Sequence, residues 1–131
     1  GWQKFQDHGC IACHSAPTFD SKDYFVRFPL HEAKDYDKKY SFTKDDGRFN
    51  LTRQFKERNV WRVPSLRNGA GTGPYFHNGA VDNLEEAVRI MAKAQLGKAL
   101  PDQDVKDIAE FLKSLTGVPA QQLKPSGQLT K

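Results

Sequence analysis

The run Cys10-Ile11-Ala12-Cys13-His14 constrains this chain more than any other stretch. Two thiols three positions apart on an incipient helical turn can add to the two vinyl groups of one porphyrin. The next residue then lies under the ring with an imidazole nitrogen aimed at the iron. Neutral imidazole is a good iron ligand, so the pattern points to a covalent c-type haem with His14 as proximal ligand. A porphyrin face is a large apolar surface, and a chain that attaches one has to fold around it. Two other chemistries use C-x-x-C. Structural zinc takes four Cys/His ligands, and this chain has two cysteines with no H-x-H or H-x-x-x-H partner. A thioredoxin-like thiol pair sits within strand–helix alternation, which the flanking residues lack.

At 131 residues the chain has the length of one domain. It is polar for that size, with a mean hydropathy of −0.72, which suits a domain whose centre is partly cofactor. The net charge of +4 is mild. No Lys/Arg run is long enough for a nucleic-acid tail, so nucleic acid is not an expected partner. The excess suggests a docking bias toward acidic redox partners. No stretch of 18 apolar residues occurs, so no membrane span is expected. Covalent haem attachment implies export, which makes the periplasm the expected location. The chain shows no signal peptide and starts inside an apparent helix, so it reads as mature, trimmed or cut from something longer.

Along the chain, Trp2 and Phe5 at helical spacing predict a short amphipathic helix over 1–9. His8 has poor geometry for the same iron and reads as a surface residue. Residues 15–60 carry many aromatics and charges without a lasting period. They predict an irregular excursion with short helical turns or a small hairpin, the aromatics acting as packing anchors, and His31 is a sixth-ligand candidate by residue type. The Pro/Gly-dense segment 61–80 predicts a specific loop lying close to another group, with His77 as a hydrogen-bonding residue. The clearest helix is predicted over 82–96, capped by Asp82 or Asn83, with Glu85 and Glu86 in its first turn. Leu84, Ala87, Val88 and Met91 follow its apolar period, so Met91, the chain's one methionine, falls on the buried face. A second helix is predicted over 101–115 through Val105, Ile108, Ala109, Leu112 and Leu115. The domain reading is a haem domain over 1–117 and a polar tail over 118–131.

An N-terminal helix ending in C-x-x-C-H and a C-terminal helix carrying Phe111 resemble a class I cytochrome c, whose first and last helices cross. The fold class is therefore all-α: a cytochrome c-like helical domain wrapped around one haem, with a long irregular loop region. More specifically, VPSLRN (63–68), TGPYFHNGAV (72–81), LEEAVRIM (84–91), QLG (95–97) and AEFLKSLTG (109–117) resemble the bacterial di-haem cytochrome c peroxidase/MauG family. They match its C-terminal domain, which carries the electron-transfer haem; DDGR (45–48) gives a looser match. The resemblance implies that Cys10 and Cys13 hold one haem c, that His14 is proximal ligand and that Met91 is distal ligand, a residue that pattern alone would assign to the core. It also implies a calcium ion bound by the carbonyls of Thr72 and Pro74, with its other protein ligand on a second haem domain. The implied partners are small redox proteins, a cytochrome c or a cupredoxin. This chain departs from the family in having one C-x-x-C-H, and an iron with Met91 in its sixth position has no open site for peroxide. The expected function is single-electron transfer. The alternative is a haem enzyme, peroxidase or MauG-like, in which Met91 stays off the iron and His77 or Arg67 assists O–O cleavage.

Overall fold

A computed structural model describes residues 1–21, 24–31 and 33–117; the predicted tail over 118–131 lies outside the described residues. Helix α1 (Trp2–Asp7) buries Phe5, and a tight 3-10 turn over Cys10–Ala12 follows it. The next region holds strand β1 (Phe25–Arg27), helix α2 (Lys34–Tyr40), the short helix α3 (Phe49–Thr52) and strand β2 (Val60–Arg62). Two longer helices close the described chain, α4 (Leu84–Leu96) and α5 (Asp102–Ser114). No helix among the described residues is long and apolar enough to cross a membrane.

Helices dominate, as expected, but a small two-stranded sheet joins them. Strands β1 and β2 form an antiparallel ribbon with Phe25 opposite Arg62, Val26 opposite Trp61 and Arg27 opposite Val60. It is not a hairpin, because α2 and α3 lie between its strands. Aromatic and β-branched side chains favour the extended form here, and the pairing closes the excursion onto itself. At Gly47, φ is +62°, and a Cβ would lie 2.7 Å from the Val60 carbonyl oxygen. The chain needs glycine there to bring the 45–48 turn against β2.

The last two helices follow their sequence signals. Asn83 Oδ1 accepts the Glu86 amide at 2.9 Å, capping α4 above its two first-turn glutamates. The helix ends at Gly97, with the Gly97 and Lys98 amides returning to the Lys93 and Ala92 carbonyls. Helix α5 buries Val105, Ile108, Ala109 and Leu112.

Helices α1 and α5 cross, and apolar contact dominates the crossing. The Phe111 ring lies 5.3 Å from both Trp2 and Phe5, and 5.6 Å from Phe19. A Cβ on Gly1 would overlap the Asp107 carbonyl and the Phe111 Cβ, so the backbones approach closely. Lys4 Nζ bridges Asp104 at 2.7 Å and Asp107 at 2.6 Å beside the rings. Such solvent-screened pairs contribute little, whereas a buried aromatic contributes far more.

The interior divides into two apolar clusters. One gathers Phe5, Phe19, Ile108, Leu112 and Leu115, with Cys10, Ile11, Leu84 and Val88 at its margin. The other gathers Phe28, Ala33, Phe42, Val81, Ile90 and Ala94, with Trp61, Tyr75, Phe76 and Met91 packed against it. Helix α4 contributes to both.

Candidate haem site

The C-x-x-C-H run forms one tight turn, with the amides of Cys13 and His14 both returning to the Cys10 carbonyl, at 3.3 and 3.0 Å. The turn follows Gly9, which takes φ +97°, and is held to α1 through the Gly9 amide on Gln6. Cys10 and Cys13 form no disulfide. Burial pushes the Cys10 thiol up, which is the wrong direction for a nucleophilic redox pair. Among the described residues no group of three or more His, Cys, Asp or Glu could hold a metal ion, so a zinc site of protein side chains is absent there.

His14 is held neutral by its surroundings. Its Nδ1 lies 3.2 Å from the Phe19 carbonyl oxygen. A carbonyl only accepts, so Nδ1 carries the proton and Nε2 keeps its lone pair. The Pro64 carbonyl also acts on the ring, favouring its protonated form. Burial lowers the imidazole pKa further than these carbonyls raise it, which keeps the ring neutral and able to ligate. Fixing a ligand imidazole by a carbonyl on its other nitrogen is how proteins orient such rings.

The remaining residues fit a covalent haem as well. Cys10 belongs to the Phe5–Ile108 cluster and Met91 to the Phe28–Ile90 cluster. Met91 is half-buried in α4, a looser position than its apolar period suggests. The Pro/Gly loop sits on that same side: the Tyr75 amide bonds the Val81 carbonyl at 2.7 Å, and Tyr75, Phe76 and Ala80 join the cluster that Met91 packs on.

Other candidates are engaged elsewhere. His8 is not a plain surface residue: it is half-buried, with Nε2 2.8 Å from Asp104 Oδ2 on α5. His31 is exposed, its ring near Gly97 at the end of α4. His77 stacks on Trp61 at 3.9 Å and bonds the Phe42 carbonyl at 3.0 Å, in keeping with a hydrogen-bonding loop residue. Arg67 donates twice to the Pro17 carbonyl, at 2.9 and 2.7 Å. Thr72 and Pro74 are exposed, and two carbonyls are far short of the six to eight oxygens calcium takes; the balance would have to come from outside the described residues. Phe19 and Pro64 escape sequence reasoning, because each acts through a backbone oxygen that every residue has.

No family model matches the chain. It is similar to the cytochrome c551 peroxidase of Pseudomonas aeruginosa, with 43% identity over 117 residues, covering 89% of this chain and 33% of that protein. It is also similar to the cytochrome c peroxidase of Escherichia coli K12, with 41% identity over 118 residues, covering 90% of this chain and 25% of that protein. The chain thus spans a quarter to a third of these curated relatives. Among solved structures it resembles a MauG-like protein associated with microbial copper homeostasis, with a TM-score of 0.63 and 26% identity, covering 87% of this chain and 46% of that one. With its C-x-x-C-H turn, carbonyl-anchored histidine and this shared sequence, the chain is a homologue of one part of the bacterial cytochrome c peroxidases, with a fold like that of a MauG-like protein.

Proposed function

We propose that this chain is a mono-haem c-type cytochrome domain that transfers single electrons. Cys10 and Cys13 attach the haem, His14 is its proximal ligand and Met91 its distal ligand. The observation that carries the reading is His14, neutral and anchored by Nδ1 on the Phe19 carbonyl. When bound, the haem supplies a one-electron iron couple. The chain's own residues set the conditions for it. The Phe19 carbonyl would hold the His14 imidazole with Nε2 free for iron, and the Met91 thioether would favour reduced iron more than imidazole does.

The positive charge suits an acidic electron donor, a small cytochrome c or a cupredoxin. The relatives are three to four times longer than the matched region, so in a longer polypeptide the electron would pass on to a second haem domain, where peroxide would be reduced. Thr72 and Pro74 would offer carbonyl oxygens to a calcium ion shared with that domain. The setting is the periplasm. The enzymatic alternative would enlist His77 or Arg67 at an open iron, but both are committed to backbone carbonyls, and we do not favour it.

The test is the oxidised spectrum of the haem-loaded protein. Six-coordinate low-spin iron with the weak long-wavelength band of a thioether–ferric bond is expected. A high-spin spectrum with peroxide turnover by this chain alone would refute the assignment.

A further inference from the structure

We propose that the segment 48–62 is a docking surface for anionic phospholipid headgroups, with Leu51 and Phe55 as its inserting tips. The observation behind it contradicts the expectation that the aromatics of 15–60 all serve as packing anchors. Phe19, Phe28 and Phe42 do, but Leu51 is 87% and Phe55 77% exposed. The two protrude from α3 and from the 3-10 turn Phe55–Glu57 that follows it. The Phe49 ring stacks on Phe55 at 5.4 Å. Single exposed apolar residues need no explanation; two large ones four positions apart, this far exposed, do.

Charge identifies the occupant. Residues 48–62 hold five of the chain's 20 Lys/Arg and one of its 16 acidic residues, so their surplus of four equals that of the whole chain. Arg27 joins the group from β1, donating to the Lys56 carbonyl at 3.2 Å. The acids facing this surface are already used. Glu57 pairs with Arg48 at 3.2 Å and Asp46 with Arg58 at 2.9 Å. Asp45 accepts from the Gly47 amide and the Asn50 side chain. Arg27, Arg53, Lys56 and Arg62 have no carboxylate partner among the described residues.

The shape favours a bilayer over a protein. A protein partner must supply a cavity for each protruding side chain, whereas a bilayer interface accepts convex apolar tips without matching them. Cations at the base of such tips then meet lipid phosphates. Two apolar tips backed by cations make an attachment of the peripheral, reversible kind.

The experiment is vesicle flotation of the full-length, haem-loaded protein with phosphatidylcholine alone or mixed with phosphatidylglycerol. Binding should be about tenfold stronger with phosphatidylglycerol and should fall steeply with added salt. Leu51→Ser/Phe55→Ser and Arg53→Ser/Lys56→Ser should each lower it at least about fivefold while leaving the haem spectrum and melting temperature unchanged. All four side chains are exposed, so the variants keep their fold. Equal binding to both vesicle types, or variants that bind like the parent, would overturn the proposal. So would protection of Leu51 and Phe55 from hydroxyl-radical labelling in the free full-length protein, which would mean that another part of the polypeptide already covers them.

Discussion

Phe5→Ala should cost this domain a large share of its stability. Phe5 is 2% exposed, and its ring lies 5.3 Å from Phe111, 6.1 Å from Trp2 and 6.2 Å from Phe19. Truncating a buried phenylalanine costs about 3–5 kcal/mol, against about 5–15 kcal/mol for a whole domain. The neighbours cannot close the gap, because the α1–α5 backbones already touch at Gly1, so the upper half of that range applies. With a guanidinium slope of about 4 kcal/mol per molar, the unfolding midpoint should drop by about 1 M. Soret absorbance and tryptophan fluorescence of the haem-loaded protein measure it, Trp2 reporting the crossing and Trp61 the other cluster. Phe5→Leu should recover more than half of the loss, because it keeps most of the volume. A midpoint shift below about 0.2 M for Phe5→Ala, where about 1 M is predicted, would refute the crossing as the main apolar anchor; equal damage from Phe5→Leu would refute the packing argument.

Three further outcomes follow from named contacts. Hydrogen bonds from Lys4 and then His8 hold the Asp104 carboxyl below the usual carboxylate range, and Lys4 and then Gln103 do the same for Asp107. Their stabilisation is present above the unfolded carboxylate pKa and is lost as pH falls through the lower folded value; Lys4→Met should therefore flatten the acid limb of a stability–pH curve, and an unchanged limb would contradict the pairing. Gly47→Ala should destabilise by about 1–3 kcal/mol, since its Cβ meets the Val60 carbonyl, and a parent-like denaturation midpoint would count against that contact. His77→Gln should lose about 1 kcal/mol with its bond to the Phe42 carbonyl and leave the haem spectrum unaltered, whereas a spin-state change would reopen His77 as a distal group.

The parts of the fold that sequence makes readable are those with local signals. Helices α4 and α5 carry a full apolar period, acidic first turns and clear stops, so their observed limits fall within two residues of the expected ones. The β1–β2 ribbon has three-residue strands far apart in the chain, too short for alternation to register. His8 illustrates another limit, because its partner Asp104 belongs to a distant helix. Within the site, the cysteines and His14 are fixed by spacing alone. Met91 is different: a helical period marks it as core-facing but cannot separate a core thioether from one aimed at iron. The Phe19 carbonyl leaves no trace in sequence, since nothing about a side chain reveals what its backbone oxygen accepts.

The central claim is that Met91 and His14 hold one iron between them. Its most direct test is the midpoint reduction potential of Met91→His beside the parent, both haem-loaded. Imidazole favours ferric iron more than a thioether does, so the potential should fall while the iron stays six-coordinate and low-spin. The drop should be on the order of 0.1 V, a fraction of the roughly 0.8 V range that axial ligands span. An unchanged potential with an unchanged spectrum would mean that Met91 is core packing and that the iron takes its sixth ligand elsewhere.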